Sequence, residues 1–110
     1  MENLGISKES YKFALLMYKY YLEQREKGAS ASDASSLGDY TFIKKSIAPE
    51  MSDDDINYHC RVLANAGLLD GSFADDCFNG GEILNPLIFH METRFRRNLR
   101  DLLNFITNII

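Results

Sequence analysis

At 110 residues the chain has room for one domain with a modest core, and its 45% hydrophobic and 25% charged residues are those of a folded globular protein rather than a disordered one. No apolar run approaches the roughly 18 residues of a membrane span, and the N-terminus lacks the basic-then-apolar order of a signal peptide, so a cytoplasmic protein is expected. A net charge of −4 gives no general attraction to nucleic acid, and two cysteines, Cys60 and Cys77, favour reduced thiols over a disulfide framework.

Residues 7–26 predict helix 1, opened by Ser7 and free of Gly and Pro. Its apolar surface is broad. Tyr11, Ala14, Leu15, Tyr18 and Leu22 form one stripe, and Phe13, Leu16, Met17, Tyr20 and Tyr21 extend it around much of the cylinder. Residues 28–38, with no large apolar side chain before Leu37, read as a flexible loop. Residues 39–48 predict helix 2, with Tyr40, Ile43 and Ile47 inward, Lys44 and Lys45 outward, and Pro49 ending it.

Residues 52–66 carry the clearest helix signal. Ser52 is a good N-cap, and Asp53, Asp54 and Asp55 put negative charge on the positive end of the helix dipole. Ile56, Cys60, Leu63 and Ala66 recur on one face, while Asn57, Tyr58, Arg61 and Asn65 lie toward the other. Gly67 supplies the left-handed stop. The short Pro49, Glu50, Met51 connection is that of a helix-turn-helix. Residues 68–89 then read as a hairpin, with strands 68–74 and 82–89 around a connection at 75–81 in which Asn79, Gly80 and Gly81 provide the turn, and Pro86 disturbing the second strand. Residues 92–110 predict a C-terminal helix with Phe95, Leu99, Leu102, Ile106 and Ile109 on one stripe.

Ser52, Ile56, His59, Leu63, Ala66, Gly67 and Leu68 resemble the recognition helix and first wing strand of winged-helix proteins. The pattern of Tyr58, His59, Leu63, Ala66, Gly67 and Leu68 is similar to that of a family of small prophage-associated, functionally uncharacterised winged-helix-like proteins; Ile88 to Arg97 adds matches at its first apolar position and at Phe95. The resemblance covers about residues 50–101. It implies a mainly α chain with a small β-hairpin: a winged helix-turn-helix with long N- and C-terminal helices, in a single domain.

Charge is unevenly distributed. Residues 46–93 hold nine acids (Glu50, Asp53, Asp54, Asp55, Asp70, Asp75, Asp76, Glu82, Glu92) against one base, Arg61, a local −8; the rest holds seven acids and eleven bases, +4. Two functions fit. In one, a small regulator of prophage type binds double-stranded DNA through Asn57, Tyr58, Arg61 and Asn65, with Lys44 and Lys45 on phosphates. In the other, an adaptor or phage-encoded inhibitor engages a basic host protein through Asp53, Asp54, Asp55, Asp75, Asp76 and Glu82 and does not bind DNA, which suits the charge better because phosphate contacts dominate duplex affinity. Arg94, Arg96, Arg97 and Arg100 form a separate basic cluster, read either as a solvated helix face or as a phosphate grip displaced from the wing.

Chemistry finds little support. His59, Cys60, Cys77 and His90 are metal-ligand types without C-x-x-C or H-x-x-x-H spacing, and Cys77 with His90 across the hairpin is the one nucleophile and base pair worth naming. No Gly-rich phosphate loop is present, so no enzyme, metal, cofactor or small-molecule substrate is expected. Surplus apolar surface at Tyr20, Tyr21, Leu103 and Ile110 predicts a homodimer through the terminal helices.

Overall fold

The computed structural model describes residues 4–109. Helix α1 (Lys8–Glu26) begins at Ser7, whose hydroxyl accepts the Ser10 N–H at 3.1 Å. Its apolar residues cover most of the cylinder, and so does its burial: Tyr11, Phe13, Ala14, Leu15, Met17, Tyr18, Tyr21 and Leu22 all lie in the core. Four other helices, at residues 31–35, 53–65, 85–95 and 99–109, pack against it from different sides. The excess apolar surface expected on this helix is therefore largely consumed within one chain. Tyr21 is buried rather than free for a dimer, and Tyr20 packs edge-on against Phe42.

The flexible loop expected at 28–38 is instead structured. Ser30 caps a short helix, α2 (Ala31–Ser35), by accepting the Asp33 N–H, and the hydroxyls of Ser35 and Ser36 both donate to the Ser32 carbonyl. Small residues let this turn lie close to α1, where Ala34 is fully buried, and the chain continues into strand β1 (Ser36–Leu37). Helix α3 (Tyr40–Ser46) follows, its N-cap Asp39 accepting the Thr41 and Phe42 amides and the Thr41 hydroxyl. Those bonds favour the charged carboxylate and hold its pKa below the ordinary value.

Helix α4 (Asp53–Asn65) starts where Ser52 accepts the Asp55 N–H, and it buries Ile56, Cys60 and Leu63. Gly67, at φ +77°, turns the chain while the Leu68 N–H donates back to the Leu63 carbonyl at 2.9 Å. Strands β2 (Leu69–Ala74) and β3 (Cys77–Ile83) complete a three-stranded antiparallel sheet in the order β1-β3-β2.

Two boundaries differ from the sequence expectation. The hairpin turns at Asp75 and Asp76, both at positive φ, whereas Asn79, Gly80 and Gly81 lie inside β3. Gly81 serves the close approach of β2 and β3 rather than a turn: it pairs with Gly71 next to a bulge, and a Cβ there would collide with the Asp70 carbonyl, while Gly80 is needed for its φ of +117°. The second strand stops at Ile83, and residues 84–89 do not extend it. Pro86 lies in the first turn of helix α5 (Asn85–Phe95), where its missing N–H costs nothing, and Leu87, Ile88, Met91 and Phe95 follow at helical spacing into the core.

The single helix expected over 92–110 is broken at Arg96 and Arg97, both left-handed, before helix α6 (Leu99–Ile109). Asn98 caps the new helix by accepting the Asp101 N–H. A straight helix would carry the apolar stripe of residues 99–106 into water. The break folds it back, so that Leu102 and Ile106 are buried, α6 packs on α1, and Phe105 meets Phe95 at 5.4 Å between ring centroids. The result is a mainly helical domain with a small antiparallel sheet. Among the described residues no helix is long and apolar enough to cross a membrane.

Candidate functional site

The outer face of α4 and the β2–β3 hairpin enclose a shallow cleft of about 310 Å³ lined by Asp54, Asn57, Tyr58, Arg61, Asp75, Asp76 and Cys77. Of the four residues expected to read base edges, Asn57 is not available for it. It is 8% exposed, its amide nitrogen donates to the Asp53 carbonyl, and its carboxamide oxygen accepts the buried Phe78 N–H at 2.7 Å. It therefore docks the hairpin onto the helix. Tyr58 stands 60% exposed and Asn65 is also open to solvent. Arg61 reaches across the cleft, its guanidinium 4.6 Å above the Phe73 ring and 3.4 Å from the Asp76 carboxylate. Phe73 was not singled out from the sequence, since nothing in its spacing marks it as the platform for an arginine on another element.

The phosphate-holding pair also divides. The Lys44 ammonium donates to the Met51 carbonyl at 2.6 Å and closes the turn between α3 and α4, while Lys45 is exposed. The acids remain on the surface. Asp53, Asp54 and Asp55 ring the first turn of α4, Asp75 and Asp76 form the hairpin tip, and Asp70 lies opposite Glu82 across the strands. Like charges facing each other in a ladder are unfavourable, so this acidity works against the hairpin's own stability. With Arg61 already engaged by Asp76, the face is electronegative.

The residues weighed for chemistry are dispersed. His59 is buried between α4 and α1, its Nδ1 2.9 Å from the Ser10 hydroxyl and its ring stacked on Phe13, and burial lowers its pKa. Cys60 is in the core, and burial pushes its thiol up to about 12, away from the nucleophilic thiolate. Cys77 borders the acidic cleft, whereas His90 lies on α5 with its Nε2 2.9 Å from the Tyr11 hydroxyl, so the hairpin pairing of the two is replaced by separate environments. Among the described residues no group of three or more His, Cys, Asp or Glu is placed to hold a metal ion.

The arginine cluster resolves into different roles. Arg94 faces inward, donating to the Tyr11 hydroxyl at 2.7 Å and lying 4.3 Å over the Phe105 ring. Arg97 pairs with Glu92 at 3.2 Å. Arg96 and Arg100 are exposed and make no side-chain ion pair or hydrogen bond among the described residues. Of the expected dimer residues, Leu103 is exposed and Ile110 lies outside the described residues; Phe89, 71% exposed on α5, is a larger apolar group that the sequence did not single out. Comparison with protein-family models, with curated proteins and with solved structures finds no match to this chain.

Proposed function

We propose that this chain is a small, non-enzymatic regulator of prophage type with a winged-helix arrangement, acting by protein contact through the acidic face of α4 and the hairpin. The helix-turn-helix of α3 and α4, followed by a two-stranded hairpin paired with β1, supports the winged-helix reading. The observation that carries the choice of partner is the placement of charge. Asp54, Asp75 and Asp76 line the cleft where a winged helix would meet DNA, and the one arginine there is already held by Asp76 and Phe73. Two residues that a duplex would need, Asn57 and Lys44, are committed to internal hydrogen bonds. A basic protein surface fits this face better than a phosphate backbone.

Protamine, as a basic polypeptide probe, is expected to bind the purified protein in a salt-sensitive manner, and Asp54→Asn/Asp75→Asn/Asp76→Asn is expected to weaken that binding about tenfold or more. Unchanged protamine binding in the triple variant would refute the acidic-face reading. Tight duplex binding that is lost on Arg61→Ala would return α4 to the DNA-reading role.

A further inference from the structure

We propose that the turn between α5 and α6 is a second, independent binding site, which takes the phosphodiester backbone of nucleic acid without reading its sequence. Three features of this end of the molecule lead there. Arg25, Arg96, Arg97 and Arg100 line two adjoining open clefts of about 500 and 520 Å³ that share Arg97 and Glu26. Within this set Arg96 and Arg100 make no side-chain ion pair or hydrogen bond among the described residues, while Arg25 bonds the Ala29 carbonyl and Arg97 holds Glu92. Guanidinium groups present planar pairs of donors matched to phosphate oxygens, and the positive end of the α6 dipole points the same way.

The backbone supplies the second feature. Arg96 occupies the left-handed position that ends α5, at φ +53°, and Arg97 follows at +57°. Glycine is the residue that this conformation favours, and a side chain with a Cβ is disfavoured at each such position. Arg97 recovers part of that cost in its ion pair with Glu92, whereas Arg96 is exposed and makes no side-chain ion pair or hydrogen bond among the described residues. A side chain placed where the backbone disfavours it, and pointing at solvent, is explained by what it reaches outside the chain.

The shape selects the ligand. The clefts are open and share Glu26 and Arg97, so they suit an extended polyanion that can meet more than one guanidinium rather than an enclosed seat for one small anion. The acidic face lies far from Arg25. Ser10 on α1 touches His59 of α4, and Arg25 lies about 22 Å further along the helix at 1.5 Å per residue, more than two Debye lengths at physiological salt. The two clefts hold four arginines against the one carboxylate of Glu26, so their lining is net positive, and this site stands or falls separately from the acidic one.

The test is fluorescence anisotropy of a short labelled duplex of arbitrary sequence against increasing salt. Binding is expected at low salt, with a log–log slope of about 2 to 4, and Arg96→Gln/Arg100→Gln is expected to lower the affinity about tenfold and the slope by about 2. Arg96→Gly/Arg100→Gln, which relieves the turn, should lose binding equally while melting no lower than the parent. Asp75→Asn/Asp76→Asn should leave duplex binding undiminished while impairing protamine binding. The proposal is overturned by a parent that binds no duplex at low salt, by arginine variants with an unchanged slope, or by equal binding of polyglutamate or phosphatidylserine vesicles.

Discussion

Two connections in this chain share an uncommon backbone and carry opposite charge. Between β2 and β3 the turn is Asp75 and Asp76, at φ +52° and +63°; between α5 and α6 it is Arg96 and Arg97, at φ +53° and +57°. Successive positive φ values are what a two-residue hairpin requires, and Asp tolerates them better than most side chains, so the acidic turn obeys a local rule. The basic turn obeys none, since arginine has no short polar side chain to support the left-handed state. Each turn is nevertheless anchored by one inward polar residue nearby. Asn57 bonds the Phe78 amide behind the hairpin, and Arg94 bonds the Tyr11 hydroxyl and covers Phe105 behind the helical turn. In each turn the inward polar side chain holds the backbone, one of the two strained charges pairs within the chain (Asp76 with Arg61, Arg97 with Glu92), and the other, Asp75 or Arg96, faces solvent.

The sharpest way to break the comparison is at the hairpin anchor. Asn57→Ala leaves the buried Phe78 N–H without an acceptor and is expected to destabilise the protein by about 1–3 kcal/mol, with loss of amide-exchange protection concentrated in β2 and β3. Equal loss of protection at Arg96 to Asn98 would mean that the two turns are not independently held.

The next effect has the opposite sign. Asp76→Gly and Arg96→Gly each remove a side chain from a left-handed position and are expected to stabilise by about 1 kcal/mol, offset in part by the greater freedom of glycine in the unfolded chain. Urea midpoints would show this. The arginine site should gain more, because Asp76 also forfeits its contact with Arg61 whereas Arg96 forfeits none. A destabilised Arg96→Gly would show that the guanidinium contributes to the fold and would remove the argument from strain.

The elements most legible in the sequence were those whose ends are written in side-chain chemistry. Ser7 and Ser52 are caps because a short oxygen-bearing side chain reaches a helix amide, and Gly67 stops α4 because its φ is +77°. Where the same signals served another purpose they misled. Asn79, Gly80 and Gly81 look like a hairpin turn, yet they lie inside β3, where the close approach of β2 requires glycine at Gly81. Pro86 looks like a damaged strand, yet it opens a helix. The break at Arg96 carries no Gly or Pro and was invisible, because tertiary burial of Leu102 and Ile106 decides it. In the candidate site, the acidic residues and Tyr58 were readable as a surface. The commitment of Asn57 and Lys44 was not, since a polar residue on a helix gives no sign that a neighbouring strand or loop will claim its hydrogen bonds.

The smallest effect concerns the joint between the two ends, where α4 meets α1. His59 is buried against Phe13, beside the Ser10 hydroxyl and the Tyr58 ring, and desolvation lowers its pKa from the ordinary 6.5, with Asp55 and Glu9 pulling weakly the other way. The folded state thus resists the proton that the unfolded chain accepts. Stability from the neutral imidazole is complete above the unfolded pKa and declines as pH falls below about 6.5 toward the folded value. Denaturation midpoints are therefore expected to drop between neutral pH and mild acid in the parent, and less steeply in His59→Leu, which keeps an apolar side chain over Phe13 but cannot titrate. Because His59 sits on α4, loosening in acid should reduce exchange protection in α4 before α6. Parallel pH profiles for the parent and His59→Leu would show that this histidine does not control the joint.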